Sequence, residues 1–458
     1  MAPAPPRDLL PTTVMERYFS RPSHGNGMVF SITLVLEGAM EIEPLRRAWF
    51  DTVHRHPRMY AKLVGRGRRQ QWKLQTQADH ASFVYRDVAA DTSAATDDAE
   101  SVRPRRGVGM KCVIQTSDQH RWSIRLLFHH ACCDGVGAIR MIGQFAKAYT
   151  QVRGTGLSHP AVNPSPSQRA DRTPLSVKQT TAVTSPQLPD MNNLWATIRG
   201  KNVRLSQQDI VGDTVCCDVP GTTIATFQGS SRLMFSRSQS DLVRQQLRQK
   251  KITLNDWAVA VTLHTFANVT NATESPRNHV MIMNPVETRT WAQRHDTDNH
   301  VGIAFVRRTH GQLLEVQHTL DSVSEQMQSV RRCGTGNELA GGIAFAERVA
   351  GCVGLFERLG TFTPTASLTS VAGLRLGKRF GVHRQDEGIW ISDAQLIDVF
   401  FEAPIQNGGQ VSTTIWEFEG QVAVSHRVSP GLFDGDQNRH LLNLWAKIAL
   451  DAIRESTV

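Results

Sequence analysis

Between Gly154 and Pro189 the chain reads GTGLSHPAVNPSPSQRADRTPLSVKQTTAVTSPQLP, loaded with Pro, Ser and Thr and lacking hydrophobic periodicity. Such a stretch carries too little apolar surface to offset the entropy of ordering it, so it reads as a linker or a long exposed crossover. It divides the 458 residues into a front part (1–153), a linker (154–190) and a back part (191–458). Each outer part is long enough to bury its own core, so the expectation is a chain packed as two lobes.

Both parts mix strand and helix patterns. In the front part Met28–Leu36 is apolar and β-branched, as in a buried strand. Ile42, Leu45, Ala48, Trp49 and Val53 recur at helical spacing before Pro57. Further strands are expected at Phe83–Asp87, Met110–Gln115 and Trp122–Phe128. In the last, Trp122, Ile124, Leu126 and Phe128 share one face. A helix follows from Gly135, with Val136, Ile139, Ile142 and Ala146 on its apolar stripe. In the back part the spacing predicts helices at Leu254–Ala267 (capped by Thr253), Leu313–Val330, Leu339–Val349 and Leu441–Ile453. Strands are expected at Val280–Asn284, Val301–Arg307, Gly388–Ile391, Val411–Phe418 and Gln421–Ser425. Interleaved strands and helices in both parts give an α/β (α+β) class in two lobes, each a mixed sheet with helices.

The strongest chemical signal lies where the strand ending at Phe128 breaks before a helix: His129-His130-Ala131-Cys132-Cys133-Asp134-Gly135. If the strand continues, His130 lies on the face of Phe128 and His129 on the other. Adjacent histidines facing opposite ways share a metal ion poorly, so no metal site is expected. A single inward imidazole suits general-base work at cellular pH. Asp134 lies past the bend and could orient the loop through a buried cation, and Gly135 would let the backbone turn. The plainer reading is a pair of buried histidines bonded to backbone. Cys132 and Cys133 invite an acyl-enzyme reading, but small filler residues are preferred. His295-Asp296-Thr297-Asp298-Asn299-His300 carries metal-type ligands and reads as a solvated turn before a strand.

HHxxxDG after an apolar strand resembles the signature of the chloramphenicol-acetyltransferase-like acyltransferase superfamily. That group includes condensation domains, polyketide-associated acyltransferases, alcohol acetyltransferases and wax ester synthases. Further segments are similar in order along nearly the whole chain: Leu45–Trp49 through Val53–Arg58, Thr253-Leu254-Asn255-Asp256, Asn284–Arg289, Asn299-His300-Val301-Gly302, and Thr369–Gly373. Ser370 and Ala372 depart from the wax ester synthase pattern at the last of these, and the plant branch's DFGWG motif is absent. The resemblance implies two similar lobes meeting at a tunnel. His130 would be the base, Asp134 and His129 the other motif residues, and Arg289 the structural partner of Asp134. Gly135, Asn255 and Asp256 would be bracing positions; Asn255 and Asp256 are read as capping a helix and bracing the lobe interface. Ser367, Thr369 and Ser370 are oxyanion candidates by position. The implied reaction moves an acyl group from an acyl-CoA or phosphopantetheine-bound thioester, used as co-substrate with no permanently bound cofactor, to a hydroxyl or amine. The implied partners are acyl thioesters, small alcohols or amines, and an acidic carrier protein as a second donor source. A non-catalytic condensation-like module binding a carrier protein or acyl ligand is the alternative.

Charge and cysteine usage bound the rest. A net charge of +9 suits phosphate-bearing donors, but Lys and Arg are scattered without aromatic interleaving, so nucleic acid is not expected. No apolar run reaches the roughly 18–20 residues of a membrane span. The seven cysteines include vicinal pairs at Cys132/Cys133 and Cys216/Cys217, with no disulfide framework or zinc spacing, and point to a reducing, cytoplasmic address.

Overall fold

The structure is a computed structural model. It describes residues 8–21, 27–87, 102–116, 120–154, 202–206, 219–227, 230–270, 278–349, 351–354, 363–371, 383–385, 388–406, 409–429 and 431–454. The linker reading, apart from Gly154, the Cys216/Cys217 pair and Ala372-Gly373 lie outside these residues.

Two mixed seven-stranded sheets organise the molecule. The front sheet runs β13 (His383–Gln385), β14 (Gly388–Ile391), β15 (Ala394–Glu402), β2 (Val29–Gly38), β7 (Arg121–His129), β6 (Met110–Thr116) and β5 (Phe83–Asp87). The back sheet runs β11 (Val301–Thr309), β10 (His279–Glu287), β12 (Ala366–Ser370), β16 (Val411–Phe418), β17 (Gln421–Val428), β9 (Ser230–Phe235) and β8 (Thr222–Phe227). A small third sheet joins β1 (Leu9–Pro11), β4 (Gln71–Lys73) and β3 (Lys62–Val64). The two lobes therefore repeat one plan, a mixed sheet backed by helices.

The period-two pattern in the front part explains its core. Antiparallel register pairs Phe30 with Phe128, Ile32 with Leu126, Leu34 with Ile124 and Leu36 with Trp122. All eight are buried in one apolar cluster with helices Ile42–Val53 and Gly135–Gly154, where Trp49 meets Phe145 edge-on at 5.9 Å. In the back part the helix Leu254–Val269 is buried on nearly every side. That all-round apolarity is what a helix needs when it lies between a sheet and other helices. Trp257 packs edge-on against Trp445 of helix Gly435–Arg454 at 5.5 Å, and Trp445 Nε1 donates to Thr262 Oγ1.

The sheets do not follow the sequence division at 154–190. After β12 the chain contributes β13–β15 to the front sheet, β15 pairing antiparallel with β2 from Ala394↔Gly38 to Glu402↔Ser31, and then returns to the back sheet as β16 and β17. The anticipated helices are present with shifted ends: Leu313–Val330 becomes Val316–Cys333 after a 3₁₀ turn, and Leu339–Val349 becomes Glu338–Ala346. No described helix is long and apolar enough to cross a membrane.

Three histidines are folded into these lobes in the neutral form. Burial pushes His129 and His426 down to about 3 and His264 down to about 4. Below about pH 6.5 the unfolded chain protonates these rings and the folded one does not, so the unfolded state binds more protons and stability falls with falling pH. Between about pH 6 and pH 4 each ring contributes a slope of at most about 1.4 kcal/mol per pH unit, the His264 share fading toward pH 4. Urea midpoints measured across that range should fall steadily, whereas those between pH 7 and 8 should be level.

Candidate active site

β7 delivers the motif. His129 ends the strand, its N–H donating to Gly109 O at 2.9 Å, and the His130 N–H donates to Met28 O at 2.7 Å. A turn follows, with Cys132 N donating to His129 O, and the helix begins at Gly135. The alternation of β7 carries through the turn. The His130 ring lies against Phe19 (4.4 Å between centroids) and edge-on to Phe30 (5.4 Å). His129 instead pairs across to Val29 on β2 and accepts a hydrogen bond from Ala131 N.

The His130 ring hydrogen-bonds to its own backbone, and only Nδ1 can reach that carbonyl. Asn299 Nδ2 donates to the same carbonyl oxygen and lies 3.3 Å from Nδ1. The tautomer that donates Nδ1–H to this carbonyl leaves the lone pair on Nε2. Burial pushes the ring below its ordinary value, offset in part by the bond to its carbonyl and by Asp134. At neutral pH the imidazole is uncharged and able to accept a proton.

His130 lines a cavity of about 330 Å³ between the lobes. Phe30, Val286, Val301 and Phe401 supply apolar wall, and Thr369, Ser370, Thr414 and His300 supply polar wall. Of the three hydroxyls put forward from sequence, Thr369 and Ser370 reach this cavity. Ser367 does not line it: its Oγ donates to Ser412 Oγ at 2.9 Å in the strand pair β12–β16. Glu402 lies in the cavity wall but is 2% exposed. It accepts from Ser31 Oγ, Ser230 Oγ and Arg125 Nη2, tying the front sheet to β9. Burial alone would raise this carboxyl; Arg125, Arg427 and the two serines hold it below the usual range.

Asp134 is spent on structure. Oδ1 accepts from Gly137 N and from Arg289 Nη2, both at 2.8 Å, and Oδ2 accepts from His300 N at 2.8 Å. It thus caps the helix, neutralises a guanidinium whose side chain is 2% exposed, and holds the start of β11. Arg289 also donates to Asp298 O at 2.7 Å.

Three sequence readings need correction. The segment 295–300 is solvated only at its start, where His295 and Asp296 are exposed. It latches the back lobe onto the front one, with Asp296 O accepting from Arg140, Thr297 Oγ1 bonding His56 Nδ1 at 2.9 Å, and Asn299 and His300 bonding as above. Among the described residues Asn255 and Asp256 form their side-chain bonds inside the back lobe, not at a helix cap or across the lobe interface. Thr253 is the cap, Asp256 forms a two-pronged pair with Arg331 at 2.9 and 3.0 Å inside the back lobe, and Asn255 bonds Asn284. Gly135 is not the residue the turn requires, since its backbone is not left-handed and a Cβ there would meet nothing. Gly137 is: a Cβ on it would collide with the carbonyl oxygen of Thr297. Gly137→Ala should therefore push the lobes apart and cost about 1–3 kcal/mol, while Gly135→Ala should leave the urea midpoint unchanged. Cys132 and Cys133 are fully buried and burial pushes both thiols up, so neither supplies a thiolate at neutral pH. Among the described residues no group of three His, Cys, Asp or Glu side chains could hold a metal ion.

No protein-family model matches the chain, and no curated protein matches its sequence. Solved structures do match over nearly the whole length. The trichothecene 15-O-acetyltransferase TRI3 from Fusarium sporotrichioides is 10% identical with a TM-score of 0.67, covering 97% of this chain and 95% of its own. The starter condensation domain of rhizomide synthetase RzmA, solved as a mutant with C8-CoA and Leu-SNAC, is 12% identical with a TM-score of 0.61, covering 97% and 94%. Polyketide synthase associated protein 5 from Mycobacterium tuberculosis is 13% identical with a TM-score of 0.59, covering 97% and 100%. The chain has the two-lobed fold of these acyltransferases and condensation domains.

Proposed function

We propose that the protein transfers an acyl group from an acyl-CoA or carrier-bound thioester to a hydroxyl or amine acceptor, with His130 as the general base. The observation that carries this reading is an imidazole in the wall of the inter-lobe cavity that burial keeps neutral at pH 7; we assign its proton to Nδ1, beside its own carbonyl, which leaves the lone pair on Nε2. Nε2 takes the acceptor's proton as the acceptor oxygen or nitrogen attacks the thioester carbonyl carbon. The C–O or C–N bond forms, the C–S bond breaks, and His130 returns the proton to the departing thiolate, leaving an ester or amide and a free thiol. Thr369 and Ser370 are two of the cavity-wall hydroxyls, and we assign them to the carbonyl oxygen as it becomes negative. A positioned base supplies about 10²–10⁴ in rate, and holding both substrates in one cavity supplies much of the remainder.

The net charge of +9 favours an anionic donor, either the phosphates of coenzyme A or an acidic carrier protein. Acyl-CoA is the preferred source, consistent with the C8-CoA held by the RzmA structure. The test is thiol release from octanoyl-CoA, with and without alcohol or amine acceptors. Acceptor-dependent release with equimolar ester or amide is the expected result. Release that ignores the acceptor would make the protein a hydrolase, and binding without release would make it a non-catalytic module.

A further inference from the structure

The six-residue helix Val14–Phe19 ends on a ring that lies against His130. So short a helix has little stability of its own, and its place is set by its bonds to the rest of the chain. Thr13 and Glu16 cap it reciprocally; the buried Glu16 carboxylate also accepts from Trp72 Nε1 of β4 at 3.2 Å and pairs with Arg58 at 3.5 Å. Arg17 pairs with Glu347 of the back lobe at 2.7 Å. Tyr18 Oη accepts from Gln406 Nε2 at 2.6 Å, beyond the end of β15. Three successive side chains are thus anchored to three different segments, and the next, Phe19, meets the imidazole.

Phe19 is 3% exposed, with its ring centroid 4.4 Å from that of His130 and the two planes 36° apart. Phe30 meets the same imidazole edge-on at 5.4 Å. His130 and Phe30 line the inter-lobe cavity and Phe19 does not, so Phe19 backs the imidazole without reaching a substrate held in that cavity. The bond from the ring to its own carbonyl requires one setting of the side-chain torsions. A ring packed at van der Waals contact removes the room to leave that setting and keeps water from that side.

We propose that Phe19 is a positioning residue for the base: carried on its anchored helix, it holds the His130 imidazole in the orientation that places Nδ1 at its own carbonyl and leaves Nε2 for the acceptor's proton. This rests on the acyl-transfer reading. The test is acyl transfer from octanoyl-CoA by Phe19→Ala across a range of pH. A freed ring spends less time aligned, so kcat should fall about tenfold or more, with the KM for octanoyl-CoA within about twofold of wild type. Water reaching the ring relieves part of the burial that holds it below its ordinary value, so the acid limb of kcat/KM should move up by about half a pH unit or more. The titratable groups on the elements about the ring are Glu16 and Arg17 on the same helix as Phe19, His129 and Asp134 beside the base, and Asp298 and His300 on the latch. Phe19→Ala removes none of them. Phe19→Leu, which keeps an apolar body, should lie between the two in both readings. Phe145→Ala is the control, a like truncation in the same core where the ring meets Trp49 instead. It should lower the urea midpoint and leave the acid limb in place. An unmoved limb in Phe19→Ala, whatever its kcat, or a limb that moves as far in Phe145→Ala, would overturn the assignment. Should Phe19→Ala fail to fold, an unmoved limb in Phe19→Leu would do the same. Nitrogen-15 NMR of the His130 ring, which needs no turnover, separates the two possible failures. If no acceptor is acylated but Phe19→Ala shows mixed tautomers where the wild type holds Nδ1–H alone, acyl transfer is overturned and the positioning role stands. If tautomer and titration agree in the two proteins, the positioning role is overturned whatever the reaction.

Discussion

His130→Ala should slow acyl transfer by about 10²–10⁴-fold, the range that a positioned general base supplies. The loss should fall on kcat, because the missing group acts on the acceptor's proton in the transition state and contributes little to holding the thioester. Folding should be nearly unaffected. The backbone bonds that shape the turn, from His130 N to Met28 O and from Asn299 to the His130 carbonyl, do not involve the ring. His129→Ala should behave in the opposite way. Its ring is half-buried and accepts the Ala131 N–H, so removing it strips a turn bond and leaves a gap, lowering the urea midpoint more than the rate. Parallel thiol-release assays and urea titrations on the two variants check both halves. A His130→Ala protein as active as the wild type would sink the mechanism.

The second large effect concerns Asp134. Its carboxylate receives Arg289, Gly137 N and His300 N, so three separate chain segments meet on two oxygens. Removing one partner of a buried ion pair strands the other charge, which typically costs about 3–5 kcal/mol. Asp134→Asn keeps the shape but discards the charge, and should lose stability of that order together with most activity. The activity falls because the helix start and the latch segment that hold His130 and His300 are released together. Arg289→Met should cost less than Asp134→Asn if the Asp keeps its two backbone donors. In the double variant no charge is stranded, so its loss should be smaller than the sum of the two single losses. Urea unfolding of the three variants measures this; additive losses would show that the pair is not coupled.

Much of this was readable from the sequence because strong periodicity and short-range chemistry coincide. The face shared by Trp122, Ile124, Leu126 and Phe128 located β7, and its continuation placed His130 and His129 on opposite sides. The polar strands were not signalled: Ser230–Phe235 and Ala366–Ser370 carry Ser at buried positions, where Glu402, Asn438 and Ser412 satisfy the hydroxyls. The passage of β13–β15 into the front sheet was not legible either. Pairing between Glu402 and Ser31 joins residues with hundreds of positions between them, and nothing local in either segment encodes it. The latch was misread for a related reason. Residues 295–300 are polar, as a solvated loop would be, but Asp296 O, Thr297, Asn299 and His300 N bond Arg140, His56, His130 and Asp134 of the other lobe. Gly137 belongs to the same class: its need for a missing Cβ arises only when Thr297 packs against it.

General-base work by His130 requires a neutral imidazole with Nδ1 protonated and Nε2 bare. Nitrogen-15 NMR of histidine-labelled protein at pH 7, with the His130 signals identified by their loss in His130→Ala, reads this directly. The expected spectrum shows one protonated nitrogen at Nδ1 and a bare Nε2 whose resonance shifts only below the ordinary histidine range as the pH is lowered. A ring protonated at Nε2, or doubly protonated at pH 7, would leave no lone pair for the acceptor's proton and would contradict it.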